Sequence, residues 1–175
     1  MKTTLNEIRR HSPCYSSWVN LLKHLGKTKP DGTPLSLLTI LESNGFQDTL
    51  WCLRAVKGHD RTIKRYLLWC ADRLRDLADT ETIEILDRTI DFVDGRASPP
   101  DLDSNYRVRA DRAIYNACLA CVYDWSDVRA PYVVSVCANA AQGPTASELT
   151  AQAEELRRVI QATDNNQDPY PKDPT

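Results

Sequence analysis

The run FQDTLWCLRAVKGHDRTIKRYLLWCADRLRDL, Phe46 to Leu77, constrains this chain more than any other stretch. Ile63, Tyr66, Leu67, Cys70, Leu74 and Leu77 recur at helical spacing, so one stripe of this segment faces a core. It reads as two amphipathic helices joined at Lys57-Gly58-His59, with Gly58 in a left-handed position and Asp60 as N-cap of the second helix. Trp51 and Trp69 sit one in each helix.

Helical signals extend in both directions. Thr4 caps a first helix through Arg10, and Ser12-Pro13 reads as N-cap and first turn of a second, since proline there loses no needed N–H. Trp18, Leu21, Leu22 and Leu25 form its stripe and Gly26 ends it. Pro30-Asp31-Gly32 marks a turn. Thr33-Pro34 opens a third helix, closed by Asn44-Gly45. Thr80 caps a helix with Ile83, Leu86, Ile90 and Val93 buried, ending at Asp94-Gly95. Residues 97–104 contain a Pro-Pro pair that breaks helix. From Tyr106 the chain is alanine-rich (Ala110, Ala113, Ala117, Ala120, then Ala138, Ala140 and Ala141), which favours close helix packing. Pro131 interrupts this region, with Ser126 or Asp127 capping the helix that restarts there, and Gly143-Pro144 breaks it again. Thr145 or Ser147 starts a last helix, with Leu149, Ala153, Leu156 and Ile160 on one face. The Tyr132-Val133-Val134 run leans towards strand but is assigned to a buried helix. No convincing alternating strand pattern is present.

The expectation is therefore an all-α bundle of about seven to eight helices. Residues 1–96 form its N-terminal part and residues 105–162 an Ala-rich part packed on it as a single domain. The three prolines of DNNQDPYPKDPT make residues 163–175 a disordered tail.

At 175 residues with 42% apolar and 26% charged content, the chain has the composition of a globular domain. Its start shows no apolar signal-peptide core and no stretch is long enough to span a bilayer, which points to a cytoplasmic protein without a membrane partner. Cys52, Cys70, Cys118, Cys121 and Cys137 fall within apolar helical patterns and read as reduced core thiols, while Cys14 reads as partly exposed. Trp18, Trp51, Trp69 and Trp125 read as core or subcore anchors.

No pattern specifies a chemistry. Cys118-Leu119-Ala120-Cys121 lacks the second ligand pair of a zinc site and falls on an alanine-rich helix face. The three histidines, His11, His24 and His59, show no metalloprotease spacing, and no phosphate-binding glycine motif occurs. A Cys14–His11 pair has nothing to orient it. The expectation is no catalytic residue, no cofactor and no metal.

Charge is the informative feature. Residues 1–75 carry 13 Lys/Arg against 6 Asp/Glu, a balance of +7, and the other 100 carry 9 against 18, a balance of −9. Arg54, Lys57, Arg61, Lys64 and Arg65 cluster within twelve residues, and Glu84, Asp87 and Asp91 form an acidic face on the helix after Thr80. Either the two halves neutralise each other or their charges merely solvate the surface, or these eight residues are contact faces for a protein partner. Nucleic-acid binding by the basic half is the alternative.

The segment ILESNGFQDTLWCLRAVKGHDR (Ile40 to Arg61), followed by Trp69-Cys70-Ala71 and QAEELRRVI, resembles a family of small helical proteins of bacteria, phages and prophages, the Imm5-like immunity proteins. The likeness is fairly specific over residues 35–75 and loose elsewhere. It implies a helical, non-enzymatic protein, encoded by a phage or mobile element, that binds and inhibits or neutralises a host or toxin protein, with no catalytic residues to carry over.

Overall fold

The computed structural model describes residues 1–102, 109–123, 126–140 and 146–172. Trp125, Tyr106, Ala141, Gly143-Pro144, Thr145 and residues 173–175 lie outside them, as do the side chains of Ser126, Asp127, Ala138 and Ala140.

The fold is an all-α bundle. Among the described residues its helices are α1 (Leu5–Arg10), α2 (Tyr15–His24), α3 (Leu37–Asn44), α4 (Phe46–Cys52), α5 (Asp60–Asp72), α6 (Thr80–Val93), α7 (Arg109–Val122), α8 (Ser126–Ala140) and α9 (Ala146–Asp164). Single 3₁₀ turns follow α4 and α5. Helix α5 lies at the centre, against α6, α7, α8 and α9. Its stripe of Ile63, Tyr66, Leu67 and Cys70 is buried, joined by Leu68, Ala71 and Leu74. Fully burying each of the leucines and isoleucines contributes about 1.5–3 kcal/mol. Leu77 departs from this stripe and is exposed. Helix α5 ends at Asp72, and the 3₁₀ turn at Arg75–Leu77 shifts the phase.

Small residues let α7 approach its neighbours. Ala110, Ala113, Ala117, Cys118, Ala120 and Cys121 are all buried, and α7 packs on α5, α6 and α8. Helix α8 runs through Pro131 instead of stopping there. The missing N–H costs one hydrogen bond near the start of the helix, and the buried face of Ala130, Val133, Val134 and Cys137 holds the segment in place.

Several boundaries differ from the sequence reading for identifiable reasons. Helix α2 starts after Cys14, because Ser12 adopts φ 54° and cannot act as its N-cap. Helix α3 begins after Ser36, whose hydroxyl accepts the Leu38 N–H at 3.1 Å, because Leu35–Ser36 is used as a strand. It pairs antiparallel with Lys2–Thr3, aligning Lys2 with Ser36 and Thr3 with Leu35. These two-residue strands are too short to show an alternating pattern. The N-cap of α5 is His59, one residue before Asp60. Asp79, not Thr80, caps α6 by accepting the Thr82 N–H at 2.8 Å. The buried face of α6 is Thr82, Leu86 and Thr89, while Ile83, Ile90 and Val93 are half-buried.

At the C-terminus, residues 163–164 belong to the last turn of α9, and residues 165–168, 171 and 172 are exposed, while Pro169 and Tyr170 are buried, the Tyr170 side chain (9% exposed) lying against α9. The cation–π contacts of its ring with Arg65 and Arg158 supply binding that the segment's poor apolar content does not reveal.

Candidate functional site

The charged residues singled out by sequence are largely engaged with one another. Asp94, 4% exposed at the C-terminal cap of α6, accepts from Arg61 Nε at 3.0 Å and Arg61 Nη2 at 2.7 Å. Arg96 Nη1 lies 2.9 Å from its other oxygen, and Arg65 Nε lies 3.9 Å away. Arg61 also reaches Asp168 at 2.9 Å. Arg54 donates to the Trp51 carbonyl at 2.9 Å and lies over the Trp51 ring at 4.5 Å. Lys57 pairs with Glu7 at 3.2 Å while remaining 78% exposed. Lys64 is half-buried, and its carbonyl lies 3.7 Å from the Cys121 sulfur.

On the acidic side, Asp87 meets Arg75 at 2.5 Å and Asp91 meets Arg96 at 2.7 Å. Glu84 is exposed beside a shallow recess formed with Glu81, Arg88 and Asp101. Hydrogen bonds donated to Asp87 and then to Asp72 hold the Arg75 guanidinium above its ordinary pKa. Arg61 and Arg65 of α5 therefore face the chain's own carboxylates. The eight residues do not converge on one surface site.

A different feature is open to solvent. Helices α1 to α4 enclose a cleft of about 80 Å³. Its floor is Ile8, Leu21, Ile40 and Cys52, its walls are Trp18 and Trp51, and its rim carries Cys14, Ser17, Asn44 and Asp48. The corner between α3 and α4 shapes it. Gly45 takes φ 84° and ψ −175°, conformational space essentially reserved for glycine, and serves both as the last cap of α3 and the first of α4. That reversal places Asp48, Trp51 and Cys52 opposite α2. Asn44 fastens the rim: its Nδ2 donates to the Ser17 carbonyl and to Asp48, both at 2.8 Å. Asn20 on α2 donates to the Ser43 carbonyl at 2.7 Å.

Cys14 stands exposed at the mouth, its sulfur 3.0 Å from the Ser17 hydroxyl. Hydrogen bonding to the Ser17 side chain, then to its backbone and to Ser16, holds the thiol below its ordinary pKa. The other five thiols are buried and unbridged; burial pushes Cys52 and Cys118 up to about 12. Cys118 and Cys121 both point into the core, as their alanine-rich surroundings predicted. Burial also lowers His59, which is half-buried at the start of α5.

Trp18 is buried and Trp51 and Trp69 are half-buried, in keeping with anchoring roles. What sequence reasoning missed is that two of these anchors leave a gap between them. A signal was present. Tyr15 and Val19 lie off the Trp18–Leu21–Leu25 stripe of α2, and they are 82% and 41% exposed.

Among the described residues, no group of three or more His, Cys, Asp or Glu is placed to hold a metal ion, and no helix is long and apolar enough to cross a membrane. Comparison of the chain with protein families, curated proteins and solved structures finds no match.

Proposed function

We propose that this chain is a non-enzymatic protein-binding module, encoded by a phage or mobile element, that inhibits or neutralises a host or toxin protein. Its contact face is the Trp18–Trp51 cleft together with the exposed side of α2. The observation that supports this reading is an open apolar cleft beside two exposed large hydrophobic residues, Tyr15 and Val19, one turn apart on the same helix. An aromatic-walled pocket with apolar residues around it is the usual setting for an interface anchor. At about 80 Å³ the cleft suits a single apolar or aromatic side chain; cofactor pockets run to roughly 300 Å³ and more. The resemblance over Ile40 to Arg61 supplies the role, since proteins of that kind act by occupying another protein. Nucleic-acid binding loses its strongest cations, because Arg61 and Arg65 face Asp94.

The test is capture from host lysate after nuclease treatment, with three full-length baits: the unmodified chain, the double variant Tyr15→Glu/Val19→Glu, and Lys57→Glu. Both substituted positions of the double variant are exposed, so the fold is kept. One protein, retained stoichiometrically by the unmodified chain and by Lys57→Glu and reduced at least about tenfold with the double variant, is the expected outcome. Equal retention by the double variant removes the cleft from the account. Retention seen only when the nuclease treatment is omitted transfers the function to nucleic acid.

A further inference from the structure

After α9 the chain reverses through Asn165 and Asn166, the latter at φ 56°, and the Gln167 N–H returns to the Ala162 carbonyl at 2.8 Å. The next residues lie across α5 and α9 as a strap. Arg61 Nη1 donates to Asp168 at 2.9 Å and Arg61 Nη2 to the Tyr170 carbonyl at 2.7 Å. Arg158 Nη2 donates to the Pro169 carbonyl at 3.2 Å. The Tyr170 hydroxyl donates to Glu155 at 2.8 Å, and its ring lies under both Arg65 and Arg158, 5.5 and 5.4 Å from the centroid.

These contacts read three features of the strap: a carboxylate, an aromatic ring two residues later, and the peptide carbonyls around them. Charge-assisted hydrogen bonds and cation–π contacts of this kind depend on local chemistry and transfer to any segment that presents it. Proline on both sides of Tyr170 keeps the segment extended and removes N–H groups that would need partners. Arg65 itself is held in place from behind by Asp94, 3.9 Å from its Nε.

We propose that the Arg61–Arg65–Arg158 surface is a docking site for an acidic–aromatic peptide, Asp-x-Tyr, carried by a partner protein, and that the chain's own strap occupies it as a built-in competitor. The word partner here rests on the protein-binding reading, but the surface is distinct from the Trp18–Trp51 cleft. Tethering gives the strap an effective concentration on the order of millimolar, so an external segment docks only when the strap yields or when it binds more tightly. The sequence cluster around Arg61 and Arg65 is then a true recognition surface, covered in the resting protein.

The probe is a fluorescein-labelled peptide with the sequence of residues 164–172. It is titrated against the full-length chain and against the full-length double variant Asp168→Asn/Tyr170→Ala, whose strap has lost its grips. The variant binds at least about tenfold more tightly than the unmodified chain. A peptide with alanine at the Asp168 and Tyr170 positions does not bind, and adding Arg158→Met to the variant weakens binding about tenfold. Equal binding by the unmodified chain and the variant, or no binding by the variant, overturns the proposal. So does loss of helical circular dichroism in the variant at 25 °C, which makes the strap an inseparable part of the fold. None of these failures touches the cleft, whose readout is the Tyr15→Glu/Val19→Glu capture.

Discussion

Replacing Asp94 by asparagine probes the arrangement that absorbs the charge asymmetry of this chain. The carboxylate is nearly buried and gathers Arg61 through two hydrogen bonds and Arg96 through a third contact, with Arg65 behind. Hydrogen bonds to charged groups are worth roughly 1.5–3 kcal/mol each. The amide keeps one acceptor oxygen, enough for the Arg61 fork, but turns an NH₂ towards the Arg96 guanidinium. The Arg96 side chain is 36% exposed, so solvent screening discounts its share. Arg65, less than a third exposed, loses its nearby carboxylate, and Arg61 keeps only Asp168 among the described residues, which adds to the loss. The total is about 2–4 kcal/mol, short of the full cost of breaking a completely buried pair. With a urea m-value of about 2–3 kcal/mol/M for a domain of this size, the midpoint falls by about 0.7–2 M. Equilibrium unfolding followed by tryptophan fluorescence measures it. A shift below about 0.3 M refutes the reasoning, for it means these arginines are as well served by water as by Asp94.

Three further outcomes follow from separate features. One thiol, Cys14, reacts with a disulfide reagent in the native protein and six react in denaturant; Ser17→Ala slows the native reaction near neutral pH by raising the Cys14 pKa, and an unchanged rate contradicts that assignment. Burial pushes Asp164 up, but the Met1 ammonium and the Ser36 hydroxyl outweigh it and hold the carboxyl below its ordinary range. Its stabilising contribution is therefore present above about pH 4 and lost as pH falls through the folded value, so the stability gap between the protein and Asp164→Asn closes in acid; a gap constant from pH 7 to pH 2 is the contrary result. Gly45→Ala costs about 1–3 kcal/mol in thermal unfolding through backbone strain alone, since an added Cβ meets no atom within 4 Å, and a neutral substitution shows that the α3–α4 corner tolerates other geometry.

Where periodicity and burial coincide, the sequence reading matches the structure. The α5 stripe and the alanine face of α7 are examples, because both are one-sided helices against a continuous core. Thr4, Gly45 and Asp94 mark helix ends correctly because each works through local backbone geometry. The failures involve partners far apart in the chain. The short β pair joins Lys2–Thr3 to Leu35–Ser36, and the strap joins Tyr170 to Arg65, in neither case through a pattern visible in a local window. The cleft escaped notice for a third reason. Its floor residues have the spacing of ordinary core, and the reversal at Gly45 that brings α4 beside α2 is not visible in a helical period. Of the eight charged residues singled out, most have intramolecular partners that a one-dimensional charge count cannot assign.

The proposed function places the primary contact on the apolar cleft, with Arg61 and Arg65 covered by the strap in the resting protein. The association rate of the captured partner with the unmodified chain, measured from 50 to 500 mM salt, tests this directly. A rate constant that stays within about twofold across this range is the predicted result, because an apolar anchor carries no charge to screen. A fall of about tenfold or more contradicts the account and returns the contact face to Lys57 and the other exposed charges.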